Sequence, residues 1–343
     1  MSLEDLKTRL GRFPRLGLAS LPTPLEPLPR LSAHLGGPRL WVKREDLSGP
    51  AFGGNKLRKL DYVLAEARAQ GADVLVSGGV VQSNSQRQVA TAAARLGLDC
   101  HLAVYHGRLA PPGPDYERSG NALLNRLLGA HLHDVTWTGD RNGAITAIAD
   151  DLQAEGRTPF VVPYGVSNGL GAVGYASVIA ELAEQCTERG LRPAAIVHCS
   201  GSGATQAGLV VGSQIALPDT AIVGIDIDAE PERVRADVTA YAREAGERLE
   251  VDLDESRIEV VAGHAGPAYG VPHRATIEAL RLAARLETLV LDPVYSAKGL
   301  AGLLALIAQG RWPADSDIVF LHTGGAPALF AYGSVLADEP GEG

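Results

Sequence analysis

The sequence predicts an α/β protein made of two open, mostly parallel sheets, one in each of two domains. Three observations lead there. Short apolar runs alternate with helical runs along nearly all of the 343 residues, the pattern of parallel strands covered by helices on both faces. More than eight strands can be counted, which is generous for one open sheet. Glycine is plentiful at 40 residues while aromatics make up only 5%, a composition suited to helices packed closely on strands.

Residues 1–37 are punctuated by Pro22, Pro24 and Pro27, which rules out a long helix there. The run 39–44 (RLWVKR) reads as a strand, and 45–50 as the loop that delivers the chain to Gly53-Gly54. A helix follows at 56–70, because Leu57, Leu60, Val63, Leu64 and Ala67 share one face. Next come strand 73–77 (DVLVS), helix 84–97, strand 100–104, helix 118–129, strand 131–137, helix 143–155 and strand 159–162. The alternation resumes with helix 171–188, strand 195–199 (AIVHC), helix 205–213 and strand 220–226 (TAIVGID). Helix 231–246, strand 257–261 (RIEVV), helix 273–286, strand 288–291, helix 298–309 and strand 317–321 (DIVFL) complete it. Gly/Pro-rich stretches near 50–57 and 163–171 mark the domain break. Residues 1–56 plus 165–343 then form the larger domain and 57–164 the smaller. There is no internal repeat, and residues 337–343 read as a frayed acidic tail.

The net charge of −9 with scattered basic residues excludes a nucleic-acid footprint. No apolar run approaches a bilayer span. The opening MSLEDLKTRLGRF lacks the apolar core of a signal peptide, so a cytoplasmic location is expected. Cys100, Cys186 and Cys199 have no metal-ligand spacing and read as buried free thiols, and no metal site is expected.

Five stretches carry chemistry. In Gly53-Gly54-Asn55-Lys56 an open glycine backbone leads into a helix, with a lysine at the junction. Alone, Lys56 would read as a solvated lysine after a turn. Beside helix N–H groups and the second cation Lys59, its amine can be depressed enough to act as a nucleophile. Gln82-Ser83-Asn84-Ser85 opens a helix after a strand, which makes it an N-cap and an anion cradle at once. Gly201-Ser202-Gly203-Ala204-Thr205 also joins strand to helix. It lacks both the Lys-Ser/Thr ending of a nucleotide loop and the G-x-G-x-x-G spacing, so a single phosphate suits it better than a nucleotide. Asp292-Pro293-Val294-Tyr295-Ser296 and His322-Thr323-Gly324-Gly325 follow predicted strands, at the ends where open sheets bind ligands, and Tyr295 can donate a proton. A phosphate, an aldehyde for a lysine and a ring nitrogen seeking a hydroxyl meet in one ligand, pyridoxal 5'-phosphate.

The motifs also carry a family resemblance. PTPLE, KRED, AFGGNKLRKL, QSN, GSGATQAGL, YGVP, DPVY and HTGG occur in the order seen in the fold-type II pyridoxal-phosphate enzymes. Within these the chain resembles the 1-aminocyclopropane-1-carboxylate deaminase/D-cysteine desulfhydrase family. The resemblance implies a tryptophan synthase β-like architecture with the cofactor between the two domains, in a homodimer. It implies that Lys56 carries the cofactor and that Asn55, Lys59 and the loop Gly201, Ser202, Gly203, Ala204 and Thr205 hold it. Asn84 would bond the ring hydroxyl, and Ser83, Asn84 and Ser85 would receive the carboxylate of a small amino-acid substrate. Tyr269 and Tyr295 would flank that substrate, and Lys56, Ser83, Tyr269 and Tyr295 would be the catalytic residues.

Two positions separate the branches. Where the cyclopropane-opening deaminases have glutamate after DPVY and leucine after the histidine of HTGG, this chain has Ser296 and Thr323. Hydroxyls at these places resemble the D-cysteine desulfhydrase branch. A neutral partner leaves the cofactor's ring nitrogen a weaker electron sink, which suits elimination, where the leaving group takes the electrons. The expected activity is α,β-elimination, with D-cysteine giving pyruvate, ammonia and sulfide. Ring opening of 1-aminocyclopropane-1-carboxylate, L-cysteate sulfo-lyase activity, β-replacement and a non-catalytic cofactor carrier stay open. Ser85 stands where the family has histidine or glutamine, beside the expected carboxylate site.

Overall fold

Apolar strands and amphipathic helices alternate as their periods require. The structure, a computed structural model, describes residues 1–337. The chain opens with α1 (Leu3–Leu10), β1 (Leu25–Pro27), α2 (Pro29–Leu35), β2 (Arg39–Lys43) and α3 (Asn55–Ala69). It continues through β3 (Val74–Val80), α4 (Asn84–Leu96), β4 (Asp99–His106), α5 (Gly120–Leu127), β5 (His131–Thr136), α6 (Gly143–Ala154) and β6 (Pro159–Val161). Then follow α7 (Gly169–Arg189), β7 (Pro193–Ser200), α8 (Ala204–Ala216), β8 (Ala221–Asp226), α9 (Pro231–Leu249) and β9 (Glu259–Val261). The last elements are α10 (Arg274–Glu287), α11 (Ser296–Ala308), β10 (Asp317–Leu321), α12 (Ala326–Leu329) and α13 (Gly333–Ala337).

The strands divide into a six-stranded sheet, ordered β1-β2-β10-β7-β8-β9, and a four-stranded sheet, ordered β5-β4-β3-β6. Every pairing is parallel except β1 with β2. The period of two sorts each central strand between two cores. On β7, Ile196 joins the core under α7 and α8, while Ala195 and Val197 join the one under α10 and α11. Small residues let α7 and α8 approach closely. A Cβ on Gly208 would lie 2.2 Å from the Ala172 carbonyl oxygen.

A buried ionic cluster ties α3 to the large sheet. Glu45, fully buried, accepts from Arg58 Nε at 2.9 Å and Nη2 at 2.6 Å, and Glu181 on α7 pairs with both Arg58 and Lys43. Because Arg58 sits in the first turns of α3, this cluster fixes where that helix begins.

The structure corrects the expected elements in three places. Residues 288–291 form no strand. Thr288 ends α10 in a left-handed turn, and Leu289 and Leu291 bury into the core while Val290 is exposed, so the alternation is satisfied by packing without a ladder. A short antiparallel strand, β1, lies within the proline-rich opening, where Pro27 ends an edge strand that needs few donors. Cys199 is only partly buried, whereas Cys100 and Cys186 are buried, and all three are free. Residues 338–343, with most of the expected acidic tail, lie outside the described residues.

Candidate active site

The cleft is built on the carboxyl ends of strands from both sheets, and its entry segment is a strained turn. Ala51, Phe52, Gly53 and Gly54 all have positive φ, at 48°, 69°, 53° and 118°. For Ala51 and Phe52 this is an uncommon conformation that the surroundings must hold. Arg87 Nη1 donates to the Ala51 carbonyl, the Ser48 hydroxyl bonds both N–H and C=O of Gly54, and Asn55 N–H donates to the Thr323 carbonyl. Glycine is required at 53 and 54: a Cβ would lie 2.3 Å from the Asp46 oxygen in one case and 2.7 Å from the Gln88 amide in the other. The turn places Lys56 at the start of α3, facing the cleft.

Lys56 shares that cleft with Asn55, Ser83, Asn84, Ser85, Tyr269, Tyr295 and Thr323, and with Gly201, Ser202, Gly203 and Thr205. Burial holds the Lys56 amine below the usual lysine value, against the opposing pull of Cys199 and Asp292. The depression expected from Lys59 thus has a different cause. The influence between the two amines is marked on Lys59, which burial first and Lys56 second push well down.

The turn 83–85 is an N-cap, with Ser83 Oγ accepting from Gln86 N–H at 3.2 Å. Asn84 is oriented by a chain of donors. Arg87 Nε donates to Asn121 Oδ1 at 2.8 Å, and Asn121 Nδ2 donates to Asn84 Oδ1 at 2.8 Å. A guanidinium can only donate, so both amides are set, and the Asn84 NH₂ is left to face an acceptor.

The 201–205 loop ends at the N-terminus of α8, whose cap residue Gly203 offers no side chain to the first N–H groups. Gly203 has φ 92°, and a Cβ there would meet Asp237 at 3.0 Å. Lys59 Nζ, Ser200 Oγ, Asn55 Oδ1 and His198 Nε2 are all buried without a hydrogen-bond partner. Unsatisfied buried groups of this kind cost about 1–3 kcal/mol each. An open helix N-terminus beside an unpaired buried amine, which a phosphate would hold in its charged form, fits a phosphate, so the residues present suit the cofactor that the motifs called for.

Across the cleft the Tyr269 and Tyr295 rings meet edge to face at 5.9 Å, their hydroxyls are hydrogen-bonded, and Lys56 Nζ lies 5.6 Å from the Tyr295 ring centroid. Burial raises both phenols well above their usual value, so both stay protonated at neutral pH. Three expected site residues are not on the cleft wall. Ala204 is buried in α8, and Lys59 lies beneath the surface. Ser296 is turned into a closed ring with Asp292: its hydroxyl donates to Asp292 Oδ1 at 2.6 Å and accepts from Asp292 N–H at 2.8 Å. Asp292 Oδ2 takes the N–H groups of Val294 and Tyr295, so its carboxylate caps α11. Thr323 does line the cleft, with Oγ1 3.2 Å from Cys199 Sγ.

Other lining residues carry no motif: Arg108, Arg141, Tyr164, Asp228 and Cys199. One signal was available. Arg108, Arg141 and Asp228 all follow carboxyl ends of strands, as the 82–85 turn, the 201–205 loop and His322-Thr323 do, and Cys199 lies two residues before Gly201.

A parallel-sheet cleft with a lysine at one wall and an open helix N-terminus suited to a phosphate at the other fits one class, the enzymes that carry a phosphorylated carbonyl cofactor. The chain belongs to the pyridoxal-phosphate dependent enzyme family, whose model matches residues 17–324. It is 44% identical over 337 residues to a 1-aminocyclopropane-1-carboxylate deaminase of Burkholderia vietnamiensis, covering 96% of this chain and 99% of that one. It is 41% identical over 324 residues to a D-cysteine desulfhydrase of Salmonella newport, covering 94% and 97%. The crystal structure of an ACC deaminase homologue superposes with a TM-score of 0.88 at 33% identity, covering 97% of this chain and 98% of that one. A tomato (Solanum lycopersicum) threonine deaminase, at TM-score 0.65 and 18% identity over 94% of this chain and 84% of that one, shares the fold. The protein is therefore a pyridoxal-phosphate-dependent lyase or deaminase. Among the described residues, no helix is long and apolar enough to cross a membrane, and no group of three or more His, Cys, Asp or Glu is placed to hold a metal ion.

Proposed function

We propose that the enzyme catalyses α,β-elimination on a small β-substituted amino acid, with D-cysteine giving pyruvate, ammonia and sulfide. One observation carries this reading. The wall around Thr323 offers a hydroxyl and a thiol, and the nearby Asp292 carboxylate is consumed by N–H groups and Ser296. With the Asp292 carboxylate so engaged, a ring nitrogen facing Thr323 would meet neutral groups, which leaves the cofactor a modest electron sink and favours reactions with a departing anion.

When bound, the cofactor withdraws electrons from Cα of the substrate amino acid. The protein's part is positioning and proton transfer. The Lys56 amine, held below the usual lysine value by burial, takes the Cα proton. The 83–85 turn supplies N–H and hydroxyl donors for the substrate carboxylate, and the unpartnered buried Ser85 Oγ is available for it. Asn84 donates to the ring hydroxyl, Lys59 and the 201–205 loop neutralise the phosphate, and Tyr269 and Tyr295 shield the substrate and keep a proton at hand.

The test is 2-oxo-acid formation: pyruvate from D-cysteine, L-cysteate, D-serine and β-chloroalanine, and the four-carbon 2-oxobutanoate from 1-aminocyclopropane-1-carboxylate. Substrates with a good β-leaving group should exceed the cyclopropane in kcat/KM by at least about tenfold, since one pKa unit at a single group is worth about 1.4 kcal/mol. Efficient ring opening by the wild type would overturn the reading, and no 2-oxo acid from any of the five would indicate a carrier. A second test addresses the phosphate. Thr205 Oγ1 accepts from Asn55 Nδ2 at 3.0 Å, which leaves its proton free to donate. Thr205→Ala should weaken cofactor affinity at least tenfold, since a hydrogen bond to a charged group contributes about 1.5–3 kcal/mol. An unchanged dissociation constant would make the loop a plain turn.

A further inference from the structure

The geometry points to Lys298 and Tyr332 as a pair of positioning residues that hold Tyr269 in place on the cleft. This deepens the elimination reading and rests on it for Tyr269's place beside the substrate. Tyr269 lies in residues 262–273, the segment between β9 and α10 that has no strand or helix of its own. A residue on such a loop is placed by the scaffold that holds the loop. Locally there is one turn: Val271 N–H donates to the Ala268 carbonyl at 3.2 Å, with Tyr269 and Gly270 at the corners. Gly270 has φ 74°, the positive value that a type II turn requires of its third residue.

Two buried side chains grip that turn. Lys298 Nζ donates to the Ala268 carbonyl at 3.1 Å, and Tyr332 Oη donates to the Gly270 carbonyl at 2.8 Å. The two carbonyls bracket Tyr269, and both donor residues are 0% exposed. The loop is therefore held from α11 and from the short turn between α12 and α13.

Burying an ammonium is costly, and among the described residues the Ala268 carbonyl is the one hydrogen-bond acceptor of Lys298. Burial lowers its amine to about 8 while Asp228, Asp292 and Asp226 oppose this, so it donates as a cation at neutral pH. The same helix start carries Tyr295, which immediately precedes α11 and whose hydroxyl bonds that of Tyr269. One rigid element thus fixes Tyr295 and also helps to hold the turn that presents its partner. Removing either donor loosens one side of that turn, and a shift of about 1 Å near the reacting atoms can cost about 10²-fold in rate.

The experiment uses holoenzyme carrying Lys298→Met or Tyr332→Phe, each made alone and together with Tyr269→Phe. Turnover of β-chloroalanine and hydrogen exchange of peptides from 262–273 are both measured. Each change made alone should lower kcat at least about tenfold with a smaller change in KM. Exchange in 262–273 should quicken while that in β7 stays as in the wild type. On the Tyr269→Phe background the same changes should lower kcat much less, because the residue they act through has already lost its hydroxyl. Equal losses on both backgrounds would overturn the inference, since a merely structural role predicts them. Unchanged exchange in 262–273 would overturn it as well. Tyr332→Phe deletes a single oxygen, so the test stands even if Lys298→Met fails to fold. A wild type inert on every amino acid tried would sink the elimination reading, and the exchange measurement alone would then decide whether these two residues hold the loop.

Discussion

Replacing Lys56 with alanine is expected to lower kcat by more than about 10³-fold, because a positioned acid/base group alone contributes about 10²–10⁴ and the cofactor's anchor is lost with it. The fold should survive. Among the described residues Lys56 makes no hydrogen bond or ion pair, and the Glu45–Arg58 cluster, which it does not join, holds the start of α3. Circular dichroism and the unfolding midpoint of the cofactor-free protein should therefore match those of the cofactor-free wild type. Borohydride treatment of the wild-type holoenzyme should leave the pyridoxyl group on Lys56, identified by peptide mass. A label on Lys43, Lys59 or Lys298 would refute the assignment. Lys43 and Lys59 compete poorly on structural grounds: Lys43 is paired with Glu181, and Lys59 is buried beneath the cleft wall.

The largest loss of stability is expected from Arg58→Met. Methionine fills similar space, but it leaves the fully buried Glu45 without its bidentate partner and removes one partner of Glu181. Removing one member of a buried pair costs about 3–5 kcal/mol, because the remaining charge stays desolvated. Denaturant unfolding at fixed cofactor concentration should show it. The double variant Arg58→Met with Glu45→Gln should recover part of the loss, and additive effects would exclude the unpaired charge as the cause. The change also acts on acid stability. Burial would raise the Glu181 carboxyl, but Arg58 and Lys43 more than offset this and hold it below its ordinary value. A carboxyl depressed in the folded state stabilises above its unfolded pKa, and that stability is lost as pH falls through the folded one. Without Arg58 the folded value rises, so acid unfolding should begin at a higher pH.

The α/β class, the alternation and most element positions were legible in the chain because strand and helix periods are local properties. So were Lys56, the 83–85 turn and the 201–205 loop, since glycine, hydroxyl and amide residues at strand-to-helix junctions announce their backbone geometry. Residues 288–291 mark the limit of that reading. Their alternation is real, but only the tertiary structure decided that it serves packing and not a ladder. Ser296 shows the same limit at the site. Its position in the motif is local information, whereas the direction of its hydroxyl depends on Asp292, which folds back to cap α11. The cleft's cationic wall was invisible for a related reason. Arg108, Arg141 and Asp228 come from three loops far apart in sequence, and no local pattern encodes that the two guanidiniums share one carboxylate. Local spacing sets which backbone can approach a ligand, while the balance of charge around that ligand is a sum over the whole fold.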